Sequence, residues 1–82
     1  MKHLILNYVK NMTKEDLINF TNKNNIKATE QEINTVYNHI KTYSNEILNE
    51  PIKYIKMLKE KISEENYYQI LMLFDKYKNY LN

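Results

Sequence analysis

Three stretches of this chain share one design, and that design fixes where helices begin. Met12–Leu17 reads MTKEDL, Ala28–Ile33 reads ATEQEI and Ile62–Tyr67 reads ISEENY. Each places an apolar residue before a Thr or Ser, polar and acidic residues after it, and a second apolar residue at the end. A helix leaves its first N–H groups without partners inside the helix. A hydroxyl at the cap accepts one of them, and a carboxylate or amide three residues later can bond back to the cap N–H. Thr13 with Asp16, Thr29 with Glu32 and Ser63 with Asn66 have this spacing, although only the Thr29 pair has the preferred Thr/Ser…Glu/Gln form. The flanking apolar pairs Met12–Leu17, Ala28–Ile33 and Ile62–Tyr67 fit hydrophobic staples across the helix entry. Glu15, Glu30, Glu64 and Glu65 fall in the first turns, where the helix dipole favours negative charge. The cap positions are 16 and 34 residues apart, so the chain is not a solenoid repeat.

A fourth start lies at NEPI, where Asn49 can cap, Glu50 opens the helix and Pro51 sits in the first turn, its missing N–H causing no loss there. The pattern predicts an all-α, compact bundle of about five short helices, at about 2–11, 14–24, 30–44, 50–61 and 64–81. The C-terminal helix is the longest and is expected to be central. No segment sustains a two-residue alternation, so no sheet is expected. Asn24–Asn25 can end the second helix in a left-handed turn without glycine.

The faces follow from three/four spacing. Leu4, Ile5, Tyr8 and Val9 are expected inward on the first helix, and Leu17 and Phe20 on the second. On the third, Ile33, Val36, Tyr37, Ile40 and Tyr43 form a stripe opposite Asn34, Thr35, Asn38, Lys41 and Thr42, with Ile47 just past its end. On the fourth, Ile52, Ile55, Leu58 and Ile62 point in, while Lys53, Lys56 and Glu60 point out with Met57 among them. The last helix carries a core stripe of Tyr67, Ile70, Leu71, Phe74, Tyr77 and Leu81. Beyond that stripe lie Tyr68 and Met72 on one flank and Leu73 and Tyr80 on the other. A helix apolar on more than one side is central in its bundle or docks on a partner.

Composition narrows function by exclusion. The 82 residues make one domain, with no Gly and no Cys. A Gly-rich phosphate loop and a glycine-based nucleophile elbow are therefore excluded, as are disulfides and thiolate metal sites. A small domain without disulfide staples suits a reducing cytoplasm. The opening MKHLILNYVKNM does not read as a signal peptide, and no apolar run approaches a membrane span. His3 and His39 are the only histidines and stand on different helices, a poor basis for zinc, which takes three or four ligands. His39 reads as a boundary residue of the third helix. The acidic pairs Glu15–Asp16, Glu30–Glu32 and Glu64–Glu65 are explained by capping, and the only serines, Ser44 and Ser63, have no adjacent base. No catalytic residue, cofactor, metal or small-molecule substrate is evident, and no enzyme activity is expected.

Two kinds of partner remain. Tyr68, Met72, Leu73 and Tyr80, with Met57, are candidates for a protein interface, either with an unknown protein or in a homodimer. Lys53, Lys56, Lys59 and Lys61 form a basic strip beside Tyr54 that could touch a phosphate backbone. Against nucleic acid stand a net charge of only +2 and the absence of Arg, since every basic residue is Lys. The second and third helices joined by NNIKA could also be read as a helix-turn-helix. However, Glu30 and Glu32 occupy the end that phosphates would approach.

From end to end, the segments LILNYV, NMTKEDLINF, NNIKATEQEINTVYNHIK, NEIL and KISEENYYQILMLFDKY resemble the YqfT-like family of small uncharacterised proteins from Bacillus/Clostridium-type bacteria. The resemblance implies a compact helical fold from a Gram-positive-type (Firmicutes) bacterium. It implies no activity and no site residues, because the family has none assigned.

Overall fold

The computed structural model describes residues 2–77, and the side chains of residues 6–76. Those residues form α1 (Lys2–Asn11), α2 (Lys14–Lys23), α3 (Glu30–Thr42), α4 (Ser44–Ile47), α5 (Pro51–Lys56) and α6 (Glu64–Tyr77). No strand occurs among them, so the fold is all-α, and α6 is its longest described helix.

The three hydroxyl caps sit where the sequence places them. At α2 the Asp16 N–H donates to Thr13 Oγ1 at 3.1 Å and the Thr13 N–H donates to Asp16 Oδ2 at 2.9 Å. At α3 the Glu32 N–H donates to Thr29 Oγ1 and the Thr29 N–H to Glu32 Oε1, both at 3.1 Å. At α6 the Asn66 N–H donates to Ser63 Oγ at 3.2 Å. The staple residues Met12, Leu17, Ile33 and Tyr67 are buried.

The end of α2 is a Schellman motif without glycine. Asn25 takes φ 57°, the left-handed region that Asn tolerates better than most residues. The Ile26 N–H donates to the Thr21 carbonyl at 2.8 Å and the Asn25 N–H to the Asn22 carbonyl at 3.2 Å. Ile26, one residue past the turn, is buried, as the motif requires of its apolar follower.

The middle of the chain departs from expectation. The stretch 30–44 does not run as one helix: Tyr43 leaves helical geometry (φ −112°, ψ 23°) and α4 begins at Ser44. The Tyr43 ring packs between His39 and Tyr54, with centroids 5.0 and 4.9 Å away, so aromatic packing coincides with the break. At the next start the cap is Glu50 rather than Asn49, because Pro51 takes the first helical position and makes its predecessor the cap. α5 then stops at Lys56 instead of reaching residue 61. From there Leu58, Lys59 and Lys61 donate three residues back, to Ile55, Lys56 and Leu58, the tighter 3₁₀ pattern that ends many helices.

α3 and α4 each pack on three other helices, α3 on α1, α2 and α4, and α4 on α1, α3 and α5. The polar side chains of α3 also close the ends of other helices. Lys41 Nζ donates to the Val9 and Lys10 carbonyls at 3.3 and 2.7 Å, at the C-terminus of α1. His39 Nε2 lies 2.7 Å from the Tyr54 carbonyl, near the end of α5; a carbonyl only accepts, so this nitrogen carries the proton. Glu32 reaches the start of α6, accepting from the Ser63 N–H at 2.7 Å. Helix ends need outside partners, and α3 supplies them for α1, α5 and α6. Among the described residues, the helix-end contacts converge on α3. Among the described side chains of α6 only Asn66 and Tyr67 are buried.

Candidate functional site

Inward residues from α2 to α6 and from the connections between them surround a partly enclosed cavity of about 330 Å³. α2 contributes Leu17 and Phe20, and α3 contributes Ile33, Val36 and Ile40. Ile55 and Leu58 come from α5 and the turn after it, and Ile70, Leu73 and Phe74 from α6. Phe20 is 42% exposed and stands where the cavity meets solvent. No described side chain is completely sealed from solvent, which fits helices arranged around a space rather than a close-packed centre.

Polar residues border the cavity but turn their polar atoms elsewhere. Thr21 Oγ1 donates to the Ile18 carbonyl, and His39 Nε2 bonds the Tyr54 carbonyl. Asn66 Nδ2 donates to the Lys27 carbonyl at 2.9 Å and to Glu32 Oε1 at 3.1 Å. The surface presented inward is almost wholly apolar. At about 24 cal/mol per Å³, leaving 330 Å³ of closed apolar space unfilled would cost about 8 kcal/mol, an upper bound for a cavity with an open side. A domain of 82 residues has a total stability of roughly 4–12 kcal/mol. A void of this kind is therefore a large fraction of what holds such a fold together.

Glu32 closes one end of the site. Burial works to raise its pKa, but donation from the Ser63 and Thr29 backbone N–H groups, the Asn66 amide and the Ser63 hydroxyl outweighs burial and holds the carboxyl below its ordinary value. The carboxylate is thus kept charged as a fixed acceptor. This arrangement suits a clamp between α3 and α6 rather than a general acid or base.

The candidate protein-interface residues do not share one surface. Tyr68 and Met72, one turn apart on α6, are 52% and 65% exposed. With Leu71, Asp75 and Lys76 they line a second, shallow depression. Leu73 points the other way, into the large cavity. Met57 is exposed in the turn after α5, and Tyr80 lies outside the described residues. Tyr8 and Ile52, expected inward, are also exposed. Tyr8 lies on α1 and Ile52 in the first turn of α5.

The basic strip is split by the same helix end. Lys53 and Lys56 belong to α5, whereas Lys59 and Lys61 lie in the turns that follow. Lys53 pairs with Glu50 at 3.9 Å, both side chains well exposed, a contact worth little. Tyr54, expected beside the strip as a base-stacking partner, is buried; Lys53 lies over its ring at 5.4 Å. The outer face of α3 that a helix-turn-helix would present is partly occupied, with Asn38 exposed on it. Lys41 bonds the end of α1, and Asn34 and Thr35 are half-buried. His39, read from sequence as a boundary residue, is 6% exposed. Among the described residues no group of three or more His, Cys, Asp or Glu is placed to hold a metal ion, and no helix is long and apolar enough to cross a membrane.

Sequence periodicity identified most of the cavity's walls, because it reports which side of a helix is apolar. It carries no information on how far apart the helices stand, so it missed the space between them. The second role of Glu32 did have a signal: the Ser63 cap lacks an acid three residues on, so its own N–H needed an acceptor from elsewhere. Comparisons with protein-family models, with curated proteins and with solved structures find no match.

Proposed function

We propose that this chain is a non-catalytic protein-binding module that pairs with a second copy of itself through the exposed face of α6. The observation that carries this reading is the exposure of Tyr68 and Met72, one turn apart on the longest described helix. A two-fold interface uses the same patch from both copies. Two α6 helices crossing antiparallel bring Met72 of each onto Tyr68 of the other, a favourable sulfur–aromatic contact. The adjacent Asp75 and Lys76 carry opposite charges, so the rim adds no net repulsion between copies. Residence in the cytoplasm and kinship with the YqfT-like family belong to the same reading, and neither adds an activity.

Sedimentation velocity from micromolar to millimolar protein tests it. The expected result is a dimer for the native chain and a monomer of unchanged helicity for Met72→Lys. A native chain that stays strictly monomeric across that range overturns the proposal. A second reading, weak nucleic-acid binding, draws on Lys56, Lys59 and Lys61, which are exposed and have no ion-pair partner among the described residues. Its signature is affinity that falls steeply with salt.

A further inference from the structure

We infer that the cavity bounded by α2, α3, α5 and α6 is a binding site for an uncharged, wholly apolar small molecule. Its volume of about 330 Å³ is roughly twice that of a protein cavity known to take up benzene, which sets the ligand at about a dozen carbon atoms or fewer. That volume lies at the lower end of small-molecule sites. The walls decide the chemistry. Ile33, Ile40, Leu58 and Ile70 present only hydrocarbon, and the bordering polar groups of Thr21, His39, Glu32 and Asn66 are bonded to protein. Among the described residues no lining group would compensate a charge or a lone hydroxyl held inside for the water it gave up, so desolvation disfavours a polar ligand there.

The enclosure decides the size class. A partner helix, about 10–12 Å across with its side chains, is too large for a space of about 330 Å³ walled on several sides. Nor does the α6 pairing face fill it, because Tyr68 and Met72 line a different depression. The proposal is therefore independent of self-association.

Naphthalene and its charged relative 1-naphthoate are the probes. Saturating naphthalene is expected to raise the thermal midpoint of the full chain by roughly 5 °C or more. It is also expected to move the methyl NMR signals of Ile33, Ile40, Leu58 and Ile70 while leaving Met72 in place. Naphthoate should bind at least tenfold more weakly. Val36→Phe, which fills the space from α3, should abolish the shifts, and Met72→Lys should leave them unchanged. If Val36→Phe does not fold, the native chain's methyl shifts decide alone. The inference is overturned if naphthalene moves no cavity methyl, if the shifts scatter over the surface, or if naphthoate binds as tightly.

Discussion

The starts of α2 and α6 carry the same six-residue pattern and are held in different ways. At α2 both arms of the capping box are local, exchanged between Thr13 and Asp16. At α6 only the hydroxyl arm is local, from Ser63 to the Asn66 N–H. The acid arm comes from Glu32, 31 residues earlier, which accepts the Ser63 N–H while also closing the box of its own helix. Asn66, at the position an acid would hold, instead ties the Lys27 carbonyl to Glu32. One motif thus stabilises a single helix, and its near-copy joins two helices into tertiary structure. An incomplete local motif in a chain otherwise rich in complete ones points to a long-range partner.

The largest expected effect comes from removing that partner. Glu32→Ala leaves the Thr29 and Ser63 N–H groups and one amide hydrogen of Asn66 without their acceptor. The expected loss is roughly 2–3 kcal/mol, since two helix caps fail together and the bonds were to a charged group. Asp16→Ala, which disturbs one exposed cap, should cost about 1 kcal/mol or less. Urea denaturation of the two variants measures the difference. Equal losses would mean that Glu32 acts only on its own helix, and the contrast between the two starts would fail.

The same carboxylate sets a smaller, pH-dependent effect. Its pKa is lowered in the folded chain, burial opposing and the Ser63, Thr29 and Asn66 donors prevailing. The unfolded chain then binds the proton more readily than the folded one. The stabilisation is complete above the ordinary carboxylate range, roughly pH 4–5. It declines as pH falls below that range and is lost through the lower folded value. The native chain should therefore lose stability more steeply in acid than Glu32→Gln, whose side chain does not titrate. Parallel acid profiles for the two proteins would remove the charge from the argument.

Much of this architecture was legible because it is local. The hydroxyl caps and the left-handed turn at Asn25 depend on residues within six positions of one another, and the structure has them where the spacing puts them. What was not legible depends on distant contacts. Tyr43 breaks a helix whose periodicity continues through it, in company with ring packing against Tyr54 from α5. Helical spacing placed Tyr8 and Ile52 inward, yet spacing cannot say whether a neighbour is there to cover them. The basic strip assumed a helix to residue 61, and the turn after Lys56 redistributed its lysines. The candidate cavity fell between these cases: its wall residues were visible one helix at a time, but its volume is a property of all the helices together.

The smallest effect is the sharpest test of locality. Thr13→Ala removes the hydroxyl arm at α2 and should cost about 1 kcal/mol, with faster hydrogen exchange confined to the first turn of that helix. Thr13 and Asn66 share no bonded partner, so Thr13→Ala combined with Asn66→Ala should give losses that add within about 0.5 kcal/mol. Glu32→Ala combined with Asn66→Ala should cost less than the sum of its parts, because each change already forfeits the bond the two residues share. Exchange in that pair should rise at the starts of both α3 and α6. If the Thr13 pair couples as strongly as the Glu32 pair, the cap at α2 is also wired into the rest of the bundle, and the distinction between a local and a shared helix start does not hold for this chain.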